Sequence, residues 1–165
     1  MQPIIVEIKD RKNELIFNGE KKLRELYDTR IKLELARDMN NPNVIEKLEE
    51  KEQDLVYDLS KIDLAIKTLE ALEYIIENNI FESYWENIEK KYSLDDLLEI
   101  VVSNGLNIKK ICLDLYEREN INDKKILDNI LKLPDEEVCE ECKDKNAFKK
   151  MLERIKMLKE KLKGE

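Results

Sequence analysis

Two cysteines at metal-binding spacing are the residues of this sequence whose types most directly suggest chemistry. Cys139 and Cys142 form a Cys-x-x-Cys pair, and two thiolates at this spacing can supply two of the four ligands of a structural Zn²⁺ site. The chain has no histidine and only one further cysteine, Cys112, so a closed site needs a second copy of the chain. The pair predicts an intermolecular Zn²⁺ site, a redox dithiol, or two cysteines without either role, and no other cofactor is expected.

Catalytic machinery is sparse because histidine, the commonest general base, is absent. Serine and cysteine hydrolase chemistry therefore lacks its usual base, and the three isolated glycines form no phosphate-binding loop. Glu46 with Glu49, and Glu70 with Glu73, each place two carboxylates on one helical face, but the two pairs lie about 36 Å apart along one predicted helix. Because a Mg²⁺ site needs such carboxylates close together, we expect that the protein is not an enzyme.

A strongly basic segment lies near the C-terminus of an otherwise acidic protein. Residues 143–163 contain nine Lys or Arg against three Asp or Glu, whereas the whole chain has a net charge of −8. The apolar residues of this segment recur at helical spacing, which predicts an amphipathic helix from about residue 146. Such a helix can bind nucleic acid or an acidic partner, or it can pack its apolar face against the protein body. The candidate contact residues are Lys149, Lys150, Arg154, Lys156 and Lys159.

A second candidate for nucleic-acid binding, residues 97–115, follows the outline of a helix-turn-helix. Gly105 lies between two predicted helices, and Asn107, Lys109 and Lys110 stand at the start of the second, where a reading helix would contact the groove. Residues 93–118 nevertheless have a net charge of −2, which weakens the attraction to phosphates on which DNA affinity depends. Ordinary packing of a helical hairpin is the alternative interpretation.

Aromatic residues cluster where the longest predicted helix ends. Phe81, Tyr84 and Trp85 share one face of a short predicted helix, and Tyr and Trp are frequent at the centres of protein interfaces. The same side chains also suit the hydrophobic core. A partner-binding role and a core role are therefore both open.

Helical periodicity dominates the sequence and predicts an all-α fold. From Val44 to Ile80, apolar residues alternate by three and four positions, as they do in a coiled coil. Asn40 to Asn43, which include Pro42, favour a bend before this helix. An upstream stripe predicts a helix that folds back antiparallel on it, so we expect a coiled-coil-like hairpin. This upstream stripe comprises Leu23, Leu26, Tyr27, Ile31, Leu35 and Met39.

The rest of the chain predicts a compact group of four or five shorter helices packed with the hairpin. Ser93 and Asp123 are suitable N-caps, and Asn104-Gly105 is a suitable helix end. This pattern divides the chain into residues 1–79, the N-terminal segment and long hairpin, and residues 80–165, although both can form one continuous domain. The first seventeen residues are compatible with a short β-hairpin, an extended segment or an extension of the following helix.

These features predict a non-enzymatic interaction or assembly protein that binds another macromolecule. A protein partner is expected, and the heptad pattern and the cysteine pair also suggest a homodimer. The alternative is a nucleic-acid-associated protein, either a helix-turn-helix-like regulator or a small helical subunit of a nucleoprotein complex. Since no apolar run approaches the about 18 residues that span a bilayer, and three cysteines form no secreted disulfide framework, we expect a cytoplasmic protein without membrane binding.

Overall fold

The structure is a computed structural model that describes residues 3–134. Within this range the prediction of an all-α fold is confirmed, and none of the described helices is long and apolar enough to cross a bilayer. In chain order the elements are α1 (Ile4–Asp38), α2 (Pro42–Glu77), a 3₁₀ turn (Glu82–Tyr84), α3 (Trp85–Lys91), α4 (Leu94–Ser103), α5 (Ile108–Arg118) and α6 (Lys124–Leu131).

The N-terminal residues extend the first long helix, so the β-hairpin and the extended segment considered for them are not formed. Ile4 and Ile8, one helical turn apart, are both buried, and the backbone N–H of Ile4 donates a hydrogen bond to Glu89 Oε1 at 2.7 Å. A carboxylate at a helix N-terminus satisfies a free N–H group and interacts favourably with the helix dipole. Burial and capping together explain why this β-branched segment is helical.

Contacts divide the described residues into two units. One contains residues 3–12 and 66–134, and the other contains residues 13–65. The division passes through α1 and α2, so each unit includes a part of both long helices. The division at residue 79, which was drawn from the sequence pattern, stays a prediction.

The unit of residues 13–65 is an antiparallel helical hairpin. Between its helices Asn40 adopts a φ of 55°, and the N–H of Asn41 donates to the carbonyl of Ala36 at 3.2 Å. This is the left-handed ending that closes many helices. Pro42 then begins α2, where its fixed φ suits the first helical turn. The bend predicted between the two long helices is confirmed.

Apolar side chains and ion pairs join the two helices of this hairpin. Leu55 and Leu59 of the predicted heptad are buried, as are Leu23, Leu26 and Leu33 of α1. Ion pairs of this exposure contribute less than about 1 kcal/mol each, so the apolar seam provides most of the stability. The three pairs link Lys22 to Asp58 at 2.9 Å, Arg30 to Glu52 at 3.2 Å and Arg37 to Glu49 at 3.4 Å.

The unit of residues 3–12 and 66–134 packs the shorter helices around its own apolar core. Two of its helices begin as the sequence predicts: Ser93 and Asp96 form a reciprocal capping box on α4, and the Asp123 side chain caps α6. The largest of the side chains that are exposed by less than 2% define the centre of the core. They are Ile8, Ile66, Leu72, Ile75, Phe81, Ile88, Leu97, Ile111, Leu115, Ile126 and Ile130.

Asparagine closes helices in this glycine-poor chain. Asn79 and Asn120 adopt φ values of 50° and 51°, and the residue after Asn120 donates to the carbonyl of Tyr116 at 3.1 Å. Asparagine tolerates the left-handed region better than other residues with a Cβ atom. Gly105 has a φ of 63°, and a Cβ atom added to it would have no other atom within 4 Å. Glycine therefore suits this position because of its left-handed backbone conformation, and not because a side chain would clash.

Candidate interaction surfaces

Several residues singled out in the sequence lie outside the described residues. The proposed zinc ligands and the basic contact residues belong to this group, so their roles stay predictions. They are Cys139, Cys142, Lys149, Lys150, Arg154, Lys156 and Lys159.

No group of three or more potential metal ligands is assembled within residues 3–134. One carboxylate of each pair proposed from the sequence instead contacts a basic side chain: Glu49 binds Arg37 at 3.4 Å, and Glu73 binds Lys12 at 3.0 Å. Burial raises the pKa of the Cys112 thiol to about 12, so this side chain is a neutral apolar group at neutral pH. The described residues therefore assemble neither a carboxylate metal site nor a reactive thiol.

The three aromatic candidates differ in exposure. Phe81 is only 1% exposed, and Trp85 is half-buried. The Tyr84 hydroxyl donates to Asp123 Oδ2 at 3.3 Å, and burial together with this neighbouring carboxylate raises the pKa of Tyr84. Phe81 thus belongs to the core, while Tyr84 connects the start of α3 to the cap of α6.

The predicted helix-turn-helix segment forms two helices joined by the four residues 104–107. Asn107 is 7% exposed, and its side-chain oxygen accepts the backbone N–H of Lys110 at 3.1 Å. The amide that the sequence offered for base contact is therefore the N-cap of α5. Lys109 is half-buried and Lys110 is exposed, while Asp114 accepts hydrogen bonds from Asn104 and Arg118 within the same helix pair.

We expect Asn107→Ala to lower the free energy of unfolding by about 1 kcal/mol, because it removes the N-cap of α5. Asn107→Ser should restore most of this loss, since serine caps helices nearly as well. Urea unfolding followed by circular dichroism measures both variants. Equal stability of the alanine and serine variants would contradict a capping role.

An open groove of about 950 Å³ lies along α4. Some of its charged side chains already have partners: Asp95 binds Arg11 at 2.7 Å, and Lys91 binds Glu119 at 3.0 Å. The hydrogen bond from Arg11 lowers the pKa of Asp95. Acidic and basic groups are mixed around the groove, so its electrostatics favour no ligand class. Its lining comprises Lys91, Tyr92, Asp95, Asp96, Leu98, Glu99, Ile100, Val102, Ser103 and Arg118.

The hairpin carries an exposed apolar surface on α1, which we call the outer stripe. It consists of Ile31 and Leu35 of α1 and of Met39, the residue that directly follows α1 and whose N–H still donates to the carbonyl of Leu35. Their exposed fractions are 37%, 58% and 79%. These residues are four positions apart, so they lie on one helical face. Scattered exposed apolar residues are normal on protein surfaces, but a row at helical spacing is typical of a helix that binds another helix.

The outer stripe corrects the sequence-based assignment of α1. Its three residues were expected to face α2 together with Leu23 and Leu26, but the structure buries only the latter two of these. Leu33 and Ala36, exposed by 2% and 6%, complete the inner face instead. Apolar residues recur at every fourth position from Tyr27 to Met39, so the sequence does not show that the inner and outer faces of α1 are both apolar.

Arginine and aspartate flank the outer stripe at regular spacing. Arg24, Ile31 and Asp38 are seven residues apart, so they lie within about 40° of one another around the helix. Arg24 and Asp38 are exposed, and no ion pair engages either within the part of the chain that the structure describes. The outer face of α1 therefore combines an apolar row with charges of both signs, because the exposed acids Asp28 and Glu34 also lie within about 60° of Ile31.

Comparison with known proteins gives one curated relative over nearly the whole chain. The sequence is 49% identical over 164 residues to the uncharacterized protein MJ0948 of Methanocaldococcus jannaschii, and the match covers 96% of this chain and 86% of that protein. The chain belongs to the MJ0948 family. No protein-family model and no solved structure matches the chain. An identity of 49% implies a shared fold. Because the name of this relative gives no function, the surface of the protein is the basis for the function proposed below.

The two helices of the hairpin in this MJ0948-family protein differ in charge. Residues 13–38 contain equal numbers of acidic and basic side chains, whereas residues 42–65 have seven acidic and three basic residues. A partner that approaches along α1 therefore meets a neutral helix, and one that approaches along α2 meets a net charge of −4. A negatively charged macromolecule would be repelled from α2.

Proposed function

We propose that the protein is a non-enzymatic helical interaction module that binds a protein partner through the outer stripe of α1. The observation that carries this proposal is the exposed row of Ile31, Leu35 and Met39 on a helix whose opposite face already packs against α2. Other hydrophobic residues are exposed elsewhere, but these three form a row that a partner helix can cover continuously.

The physical reason for binding is the removal of apolar surface from water. Full burial of a large aliphatic side chain stabilises a complex by about 1.5–3 kcal/mol, and Leu35 and Met39 still expose most of their surface. Side chains four residues apart serve as anchors when a helix binds in an apolar groove or against another helix. Exposed charges beside such anchors contribute to orientation and specificity more than to affinity.

The non-enzymatic part of the proposal is supported by the residue types available. The sequence contains no histidine, and Glu49 and Glu73 of the predicted carboxylate pairs form ion pairs with Arg37 and Lys12. General acid–base chemistry would therefore need other groups with shifted pKa values in a shared cleft. A binding role requires only the exposed helix face.

Comparative affinity purification tests the proposal. Wild-type protein, Leu35→Glu and the control Tyr57→Glu serve as bait, because Tyr57 is 60% exposed on α2 and both variants leave the core intact. We expect one protein to co-purify with wild type and with Tyr57→Glu at constant stoichiometry. The amount of this protein that co-purifies with Leu35→Glu should be at least tenfold lower. Reconstitution with that purified protein should give the same order. Unchanged binding by Leu35→Glu would exclude the outer stripe as the interface.

Nucleic-acid association remains the alternative proposal, supported by the nine basic residues of segment 143–163. The same purification distinguishes it, because nuclease treatment should release nucleic acid and any protein held through it. Binding that depends on Leu35 and survives nuclease supports the protein partner. Binding that is lost with nuclease, but unaffected by Leu35→Glu, supports the alternative.

A further inference from the structure

We propose that Asn104 is a modification site, at which the folded protein converts asparagine into aspartate and isoaspartate without an enzyme, and that this conversion weakens the junction of α4 and α5. The inference is independent of the function proposed above. The sequence contains two Asn-Gly pairs, Asn18-Gly19 and Asn104-Gly105. The structure places the two pairs in different surroundings, and this difference selects Asn104 as the reactive one.

The reaction is a cyclisation followed by hydrolysis. The backbone nitrogen of Gly105 attacks Cγ of Asn104 and forms a cyclic imide, while the Cγ–Nδ2 bond breaks and ammonia leaves with the proton of the glycine N–H. Water then opens the imide at either carbonyl and gives aspartate or isoaspartate, so an amide and water become an acid and ammonia. Glycine favours the attack because it has no Cβ atom to obstruct it and adopts a wide range of conformations.

The first pair is held inside a long helix. Asn18 and Gly19 belong to α1 (Ile4–Asp38), far from both of its ends, and Gly19 is buried. Each backbone N–H in a helix interior donates to the carbonyl four residues earlier, and opening one such bond in the middle of a helix requires its neighbours to open as well. Folding therefore protects Asn18 from the attack.

The second pair lies at a helix end, in a turn that opens more readily. Asn104 is the C-cap of α4, with φ −99° and ψ 16°, and Gly105 is exposed. Leu106 follows with a φ of 58°, a conformation that is unfavourable for a large side chain. Helix ends and turns open at a lower free energy than helix interiors, and the strain at Leu106 lowers this free energy further. The attack is therefore easier here than within α1.

The side-chain amide of Asn104 connects the two helices that flank the turn. Its Nδ2 donates to the carbonyl of Ile100 at 2.8 Å and to Asp114 Oδ2 at 2.9 Å. These two hydrogen bonds have to open before cyclisation, so we expect the folded turn to react more slowly than the denatured chain. They also determine what the product does to the structure.

The product places two carboxylates against each other. Burial alone raises the pKa of Asp114, but the hydrogen bonds from Asn104 and Arg118 hold this pKa below its usual value, so Asp114 is charged at neutral pH. Conversion of the Asn104 amide removes both donated hydrogen bonds and adds a like charge beside Asp114. The carbonyl of Ile100 loses a donor at the same time. The modification therefore loosens the contact between α4 and α5.

Incubation of the full-length protein at neutral pH, both folded and in guanidinium chloride, tests the site. Peptide mapping by mass spectrometry measures the conversion of each asparagine, and an isoaspartate-specific methyltransferase identifies isoaspartate. In the denatured chain both pairs should convert at similar rates. In the folded chain Asn104 should convert roughly tenfold faster than Asn18, or more. Equal rates in the folded chain, faster conversion at Asn18, or conversion at neither site while the denatured chain reacts would overturn the proposal.

The variant Asn104→Asp reproduces the aspartate product and tests its effect on the junction. It should melt at a lower temperature than wild type, whereas Asn87→Asp, which adds the same charge at an exposed position of α3, should melt as wild type does. Adding Asp114→Asn to Asn104→Asp places an amide opposite the new carboxylate and should recover part of the loss. Fluorescence of Trp85, which lies in the same unit, follows the unfolding of all three. A wild-type melting temperature for Asn104→Asp, or no recovery in the double variant, would contradict the proposed repulsion.

Discussion

Replacing Phe81 with alanine is expected to lower the free energy of unfolding by about 3–5 kcal/mol, a typical cost for a buried aromatic side chain. Phe81 is 1% exposed and is the largest side chain buried to this extent among the described residues, so its removal should leave a cavity that its neighbours fill only in part. In a chain of this size, the melting temperature should fall by roughly 6–20 °C. Calorimetry and urea unfolding measure the two quantities.

Trp85 makes this experiment specific to one unit of the protein. It is the sole tryptophan of the sequence, and it lies in the same unit as Phe81. Its fluorescence therefore reports the unfolding of the part that loses the aromatic ring. Tyr57→Ala is the control, because a 60% exposed side chain should change stability by no more than about 0.5 kcal/mol. A loss below about 1 kcal/mol for Phe81→Ala would show that the residue belongs to the surface.

Helix boundaries could be predicted from the sequence wherever the determining contact is local. Ser93 and Asp123 were recognised as N-caps, and the structure places both in that role. The bend at Asn40 and the end of α4 at Gly105 depend on the conformational freedom of single residues, which is also visible in the sequence. Such features require no knowledge of distant parts of the chain.

The orientation of α1 could not be predicted because its sequence has two apolar stripes. Leu33 and Leu35 are the same residue type two positions apart, yet their exposed fractions are 2% and 58%. The intrinsic helical preference of leucine is the same at both positions, and only the position of α2 determines which of them is buried. The outer stripe therefore required a structure to be found.

Residues with two alternative roles were the other difficulty. Asn107 suits both a groove contact and a helix cap, and Phe81 suits both an interface and a core. In each case the structure uses the side chain internally: Asn107 accepts a backbone N–H, and Phe81 is buried. A satisfied cap and a filled core are the common fates of such residues, and only the position of neighbouring helices distinguishes them from a binding role.

Leu33 and Leu35 lie on the inner and outer faces of α1, so alanine substitutions at the two positions serve as controls for each other. Leu33→Ala should lower the free energy of unfolding by about 2–5 kcal/mol, whereas Leu35→Ala should change it by about 0.5 kcal/mol or less. The two variants remove the same atoms at two positions of one helix that are separated by a single residue. Their difference therefore measures burial alone, because helix propensity changes equally at both sites.

Circular dichroism at 222 nm during urea unfolding is the appropriate measurement, since the hairpin unit contains no tryptophan. The protein concentration should be low, on the order of 1 μM, so that loss of binding at the outer stripe does not add to the effect of Leu35→Ala. Equal losses for Leu33→Ala and Leu35→Ala at low concentration would mean that α1 presents a different face to α2.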